Sequence, residues 1–163
     1  MRFITRYGLQ RTRVAAAMLL TLPGLPALYT GEEVGAAFEP YGAPPAIDWS
    51  AHPELRAWYA RLIALRRADP ALRSRTIDLL DLPHGDNLLA YLRPGANGDS
   101  VLVLLNYGAQ PLSIALPAGL AASAALDLLD CKPVALTPSA PQIAVDGNGV
   151  RVLGARDDPA CRR

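Results

Sequence analysis

Residues 26–30, Pro-Ala-Leu-Tyr-Thr, form an apolar run of strand length between two stretches patterned as helices. A single strand flanked by two helices cannot satisfy its own backbone groups or cover both of its faces. Such a unit belongs in a larger sheet. Alternation of strand and helix points to a parallel α/β sheet, of which a closed barrel is one form.

The flanking patterns are specific. Val14, Ala17, Met18, Thr21 and Leu22 fall on one helical face, with Arg11 and Arg13 at its start. Pro23 and Gly24 end that helix sharply. The same region also carries the parts of a secretory signal. Arg2, Arg6, Arg11 and Arg13 come without an acid, "VAAAMLLTL" follows, and "LPA" offers small residues for cleavage. Pattern alone leaves both readings open. Gly31 can turn a corner that a residue with a Cβ resists. Residues 32–50, rich in Gly, Pro and aromatics, read as a long surface loop of the kind that carries function. Pro53 suits the first position of a second helix. Leu55, Trp58, Leu62 and Leu65 line its inner face beside Tyr59 and Ile63, while Arg56, Arg66 and Arg67 fall outside. Pro70 stops it.

From Thr76 the character changes. Short apolar runs at residues 76–82, 88–92, 101–105, 112–116, 125–129, 143–145 and 150–153 alternate with turn residues. "ANGD" at 96–99 and "DGNG" at 146–149 have the composition of hairpin loops. Prolines fall between the runs, where they cost no ladder bond. The pattern predicts an antiparallel β-sandwich over residues 75–154. A polar tail, 155–163, is expected to be flexible.

Hydrophobic content of 51% with 19% charged residues reads as globular. The net charge of +1 gives no field that calls for nucleic acid or an anionic membrane, and no run approaches 18 apolar residues. Lys132 is the single lysine among 16 basic residues, and the scattered arginines are expected on solvated surface. Cys131 and Cys161 are too few for a disulfide scaffold or a metal site, though one bridge between them is open. No phosphate cradle, metal-ligand cluster or Ser-His-Asp arrangement is visible, so no cofactor is expected.

At this point the residues resemble a known family. "RVAAAMLLTLPGLPALYTGEEVG" is similar to the end of the catalytic barrel of α-amylase-type glycoside hydrolases. There a seventh helix, a Pro-Gly break, an eighth strand and a "Tyr-x-Gly-Glu/Asp-Glu" turn follow in that order. "HPELRAWYARLIALRRADPALR" resembles the eighth helix, "DNLLAYLRP" and "VLVLLNYG" two strands of the C-terminal sandwich, and "GVRVL" its closing strand. The resemblance favours the helix over the signal. It implies an α+β fragment, the last βα portion of a (β/α)8 barrel in residues 1–74 followed by the antiparallel β-sandwich.

The resemblance also implies an absence. Retaining cleavage of an α-glucosidic bond needs a carboxylate nucleophile and a carboxylic acid about 5 Å apart. None of the family's catalytic carboxylates maps to a residue here, so no catalytic residue is assigned and the chain alone is expected to be inactive. Glu32 and Glu33 are adjacent and, on an extended turn, point apart. Glu33 is a candidate for a supporting or substrate-facing role, and Tyr41 and Trp49 are candidates for stacking on sugar rings. His84, Asp86 and Asn87 read as turn formers and His52 as a helix-entry residue. The implied partners are an α-glucan or maltooligosaccharide in a full-length parent and an N-terminal barrel fragment. The other reading is a non-catalytic carbohydrate-binding or protein-interaction sandwich that pairs with a separate barrel fragment. The compartment, cytoplasmic or secreted, stays open.

Overall fold

The computed structural model describes residues 1–38, 42, 45–83, 85–96, 98–121, 124–136 and 141–161. Helix α1 spans Phe3–Thr21 and is kinked at Gly8, whose φ of 79° and ψ of 171° leave the helical region. Its buried side is Thr12, Val14, Ala16, Ala17, Leu20 and Thr21. Helix α2 spans Pro53–Ala68 and buries Leu55, Trp58, Tyr59, Leu62, Leu65 and Arg66. Pro53 takes the first turn, where its missing N–H costs nothing. His52 precedes it in the left-handed region, φ 45°, and its carbonyl accepts from Leu55 and Arg56.

The strands are β1 (Asp78–Leu80), β2 (Leu88–Pro94), β3 (Ser100–Asn106), β4 (Leu112–Ala115), β5 (Leu126–Asp127), β6 (Lys132–Pro133), β7 (Gln142–Val145) and β8 (Val150–Gly154). Six form one sheet in the order β1-β2-β3-β8-β5-β6, and β4 pairs with β7 in a second. All described pairs are antiparallel.

The six-stranded sheet is covered on both faces, and β3 shows why. Val101, Val103 and Leu105 join a core with Val14, Leu20, Leu55, Leu62 and Leu72 from the helical half. Leu102 and Leu104 point the other way, onto Ile114, Ile143 and Val145 of the small sheet. A strand buried on both faces needs no polar alternation, and "VLVLL" is such a run. Residues 1–74 and the sandwich thus share one core.

Residues 26–30 join no ladder among the described residues, and Leu25, Leu28 and Tyr29 are exposed. Several other features differ from the expectations. "DGNG" does not close a hairpin, because β7 and β8 belong to different sheets. It is a corner seated on the 108–110 loop: Asn148 N–H donates to Gly108 O at 2.7 Å, and a Cβ at Gly147 would meet Ala109 O. The side-chain amide of Asn106 donates to Gln110 O and Asp146 O, tying the two loops together. Strand β6 lies outside the apolar runs of the sequence. It contains Pro133, which an edge strand tolerates. The tail, expected to be loose, forms a turn at Pro159–Cys161, and Cys161 is disulfide-bonded to Cys131.

The largest correction concerns arginine. Arg2, Arg66 and Arg93 are buried rather than solvated. Arg66 donates to Leu20 O, Leu22 O and Gly24 O at 2.6–2.9 Å. Arg93 donates to Thr21 O, to Ser74 O at 2.6 Å and to Thr76 O at 2.9 Å. The last turn of α1 carries no basic residue of its own, so its orphan carbonyls are capped from α2 and β2. Among the described residues no helix is long and apolar enough to cross a membrane.

Candidate functional site

The segment after α1 is built around two left-handed glycines. Gly31, at φ 79°, opens a tight turn at Glu32–Val34, and Gly35, at φ 69°, closes it. A Cβ on Gly31 would lie 2.8 Å from Ala36 Cβ, and one on Gly35 would lie 2.7 Å from Ile4 Cδ1. Both positions therefore need glycine for space as well as for backbone angle.

Arg2 locks this turn to α1. Its Nε donates to Ala36 O at 3.1 Å and Nη2 to Thr30 O at 2.9 Å. Its guanidinium lies over the rings of Tyr29, at 4.6 Å, and Phe38, at 5.0 Å. Glu32 locks it to α2. One carboxylate oxygen accepts from Tyr29 N–H and the other from the Tyr59 hydroxyl, each at 3.2 Å. Burial, then the charge and hydrogen bond of Glu32, push the Tyr59 phenol well above its usual range. Tyr59 therefore stays a protonated donor at neutral pH.

Two clefts flank the turn. One, of about 320 Å³, is lined by Arg2, Ile4, Thr12, Tyr29 and Glu32 among others. The other, of about 470 Å³, lies between Val34, Phe38, Ile47 and His52. Glu32 is the sole carboxylate among the described residues lining the first. One carboxylate can orient a hydroxyl or accept a proton, but it cannot supply both the nucleophile and the acid that retention requires.

The candidates from sequence fall unevenly around this geometry. Glu33 is half-buried on the same turn and lines neither cleft, though its charge also acts on Tyr59. Trp49 is half exposed in the turn after Asp48 and lines neither cleft. That turn is held by Asp48, whose carboxylate accepts from Ser50 N–H and Oγ; these bonds hold its pKa below the usual carboxylate value. Tyr41 and His84 lie outside the described residues. Asp86 and Asn87 form the short turn Gly85–Asn87, where Asn87 O accepts from Tyr107 N–H. Trp58 packs in the core, its indole N–H donating to Arg13 O at 2.9 Å. The residues that do converge are Arg2, Tyr29, Glu32 and Tyr59. Tyr59 left a usable signal, since a tyrosine on the inner face of a helix needs a partner for its hydroxyl. Arg2 left none, because no local pattern tells a buried arginine from a solvated one. Among the described residues no group of three or more His, Cys, Asp or Glu could hold a metal ion.

No protein-family model matches the chain. It is 36% identical over 125 residues to α-amylase MalA of Haloarcula japonica, an alignment covering 72% of this chain. It is 31% identical over 102 residues to a cyclomaltodextrinase of a Bacillus species, covering 60%. Each alignment spans 18% of the relative's own length. Among solved structures, a cyclomaltodextrinase superposes with a TM-score of 0.78 at 26% identity, over 93% of this chain and 27% of that one. AmyP in complex with maltose gives 0.73 at 19% identity over 94% and 36%, a likeness of fold. The maltogenic amylase from S. marinus gives 0.70 at 22% identity over 92% and 20%, again a likeness of fold. By sequence and fold together, the chain is a homologue of α-amylase-family enzymes over a fraction of their length, a match consistent with a C-terminal part of them.

Proposed function

We propose that these residues are the C-terminal part of a retaining α-glucan hydrolase or transglycosylase. In this reading α1, residues 22–52 and α2 are the end of a (β/α)8 barrel, residues 1–74, and the sandwich follows from residue 75. The observation that carries it is the 36% identity to α-amylase MalA across 72% of the chain. The exposed run of Leu25, Leu28 and Tyr29 supports it, because a barrel strand without its neighbours presents such a surface. Its partners are then an α-glucan or maltooligosaccharide and the remaining barrel. Glu32, with Glu33, Tyr41 and Trp49 nearby in sequence, belongs to the rim of the sugar cleft rather than to the bond-breaking pair.

The 163 residues by themselves are inactive in this reading, because binding does not replace a missing nucleophile and acid. Purified chain incubated with starch, maltooligosaccharides and cyclodextrins gives no turnover above a vector-only preparation. Turnover above that control overturns the reading. Joined to the N-terminal part of the Bacillus cyclomaltodextrinase, the chain restores cleavage; a folded but inert chimaera counts against the barrel assignment. The alternative is a sandwich that only binds sugar or protein. It is favoured if the chain is monodisperse, binds maltotriose and gains nothing from the barrel part.

A further inference from the structure

A further cleft opens where the helical half meets the sandwich. It encloses about 490 Å³, within the range of small-molecule sites. No residue lining it lines either cleft beside the 29–36 turn. Gln10 and Arg13 of α1 and Trp58 and Arg61 of α2 supply its helical side, and residues 127–130 and 146–151 contribute from the sandwich. Two of its guanidinium groups are set in place by the fold. Arg13 lies over the Trp58 ring at 4.9 Å, while the Trp58 indole N–H holds the Arg13 carbonyl at 2.9 Å. Stacking uses the face of a guanidinium and leaves its in-plane N–H groups for hydrogen bonds. Arg151 donates through Nε to Ala144 O at 3.0 Å and through Nη1 to Asp127 at 2.9 Å. Asp127 is 6% exposed and is itself held by Leu129 N–H at 3.0 Å. Donors fixed in this way lose little freedom when a ligand binds. Asn148 also lines the cleft, and its side-chain oxygen is buried without a hydrogen-bond partner among the described residues.

The charge of the lining decides the class of ligand. Three arginines and three aspartates line the cleft and balance. Asp127 is paired with Arg151, and Asp130 with Lys132 at 2.9 Å. A lining without net charge has no field to draw in an anion or a cation. It offers donors and acceptors side by side instead. A hydroxyl group is both donor and acceptor, so a neutral polyol matches it. We propose that this cleft is a carbohydrate site apart from the 29–36 turn. It takes a neutral oligosaccharide, whose hydroxyls accept from Arg13, Arg61 and Gln10 and donate to Asp146. That the sugar is an α-glucan rests on the function proposed above; that it is a polyol rests on the lining alone.

The test uses the whole chain carrying Trp49→Phe, which leaves Trp58 as the one indole. Titration with maltotriose and maltoheptaose, to about 10 mM, is expected to change the Trp58 fluorescence saturably. Arg61 and Gln10 are exposed, so Arg61→Ala and Gln10→Ala keep the thermal midpoint. Arg61→Ala weakens the sugar affinity at least about ten-fold, the loss of one charged donor, and Gln10→Ala weakens it less. Cellotriose, another neutral polyol, separates the two readings: binding of cellotriose without maltotriose upholds the cleft and counts against the α-glucan function. The absence of a saturable change with all three sugars overturns the proposal. So does a saturable change with inorganic phosphate or calcium alone, which makes the cleft an ion site. Sugar binding that both alanine variants leave intact also overturns it, because the sugar then sits elsewhere.

Discussion

Replacing Arg93 with methionine tests how α1 is joined to the sandwich. Arg93 is fully buried and serves Thr21 O at the end of α1, Ser74 O in the connection and Thr76 O before β1. Methionine fills most of the volume and supplies no donor. Each of the three carbonyls left without its charged donor costs about 1–3 kcal/mol. Freeing a buried guanidinium from its desolvation cost offsets part of this, leaving about 3 kcal/mol net destabilisation. For a chain of this size each kcal/mol moves the midpoint by roughly 2–4 °C. The thermal midpoint, followed by circular dichroism at 222 nm or by calorimetry, is therefore expected to fall by about 6–12 °C. Arg93→Lys keeps the charge but cannot fork to three carbonyls, and falls in between. If Arg93→Met melts within about 2 °C of the parent, the carbonyls are satisfied without Arg93, and the account of how α1 is capped is wrong.

Two further perturbations probe the turn and Asp69, which is buried just past α2. Tyr59→Phe removes the hydroxyl that Glu32 accepts from; about 1 kcal/mol of stability is lost, and faster amide exchange confined to residues 29–35 is the reading that checks it. Burial, with Asp158 adding to it, raises the Asp69 carboxyl from 3.8 to about 6. Its folded pKa lies above its unfolded one, so the folded state holds the proton more tightly and stability falls as pH rises through that interval, then levels off. Urea melts at several pH values across it show that decline in the parent and a flatter profile in Asp69→Asn, whose amide oxygen still accepts from Ala71 N–H; identical profiles remove Asp69 as the source.

Local chemistry determined much of this protein. The three-and-four spacing of Leu55, Trp58, Leu62 and Leu65 specifies a helix and its inner face, because periodicity is a property of the chain itself. The same holds for "VLVLL" as a strand and for Pro23-Gly24 as a stop. Partner choice was decided only in three dimensions. "DGNG" has the composition of a hairpin loop, yet β4 and not β8 lies beside β7, so it turns a corner between sheets. Arg66 and Arg67 are neighbours of identical type; the helix turns one toward the carbonyls of Leu20, Leu22 and Gly24 and leaves the other in solvent. Glu32 rather than Glu33 meets Tyr59 because Gly31 sets the phase of the turn. In each case the sequence states which groups need a partner, and only the packing of distant segments states which partner is within reach.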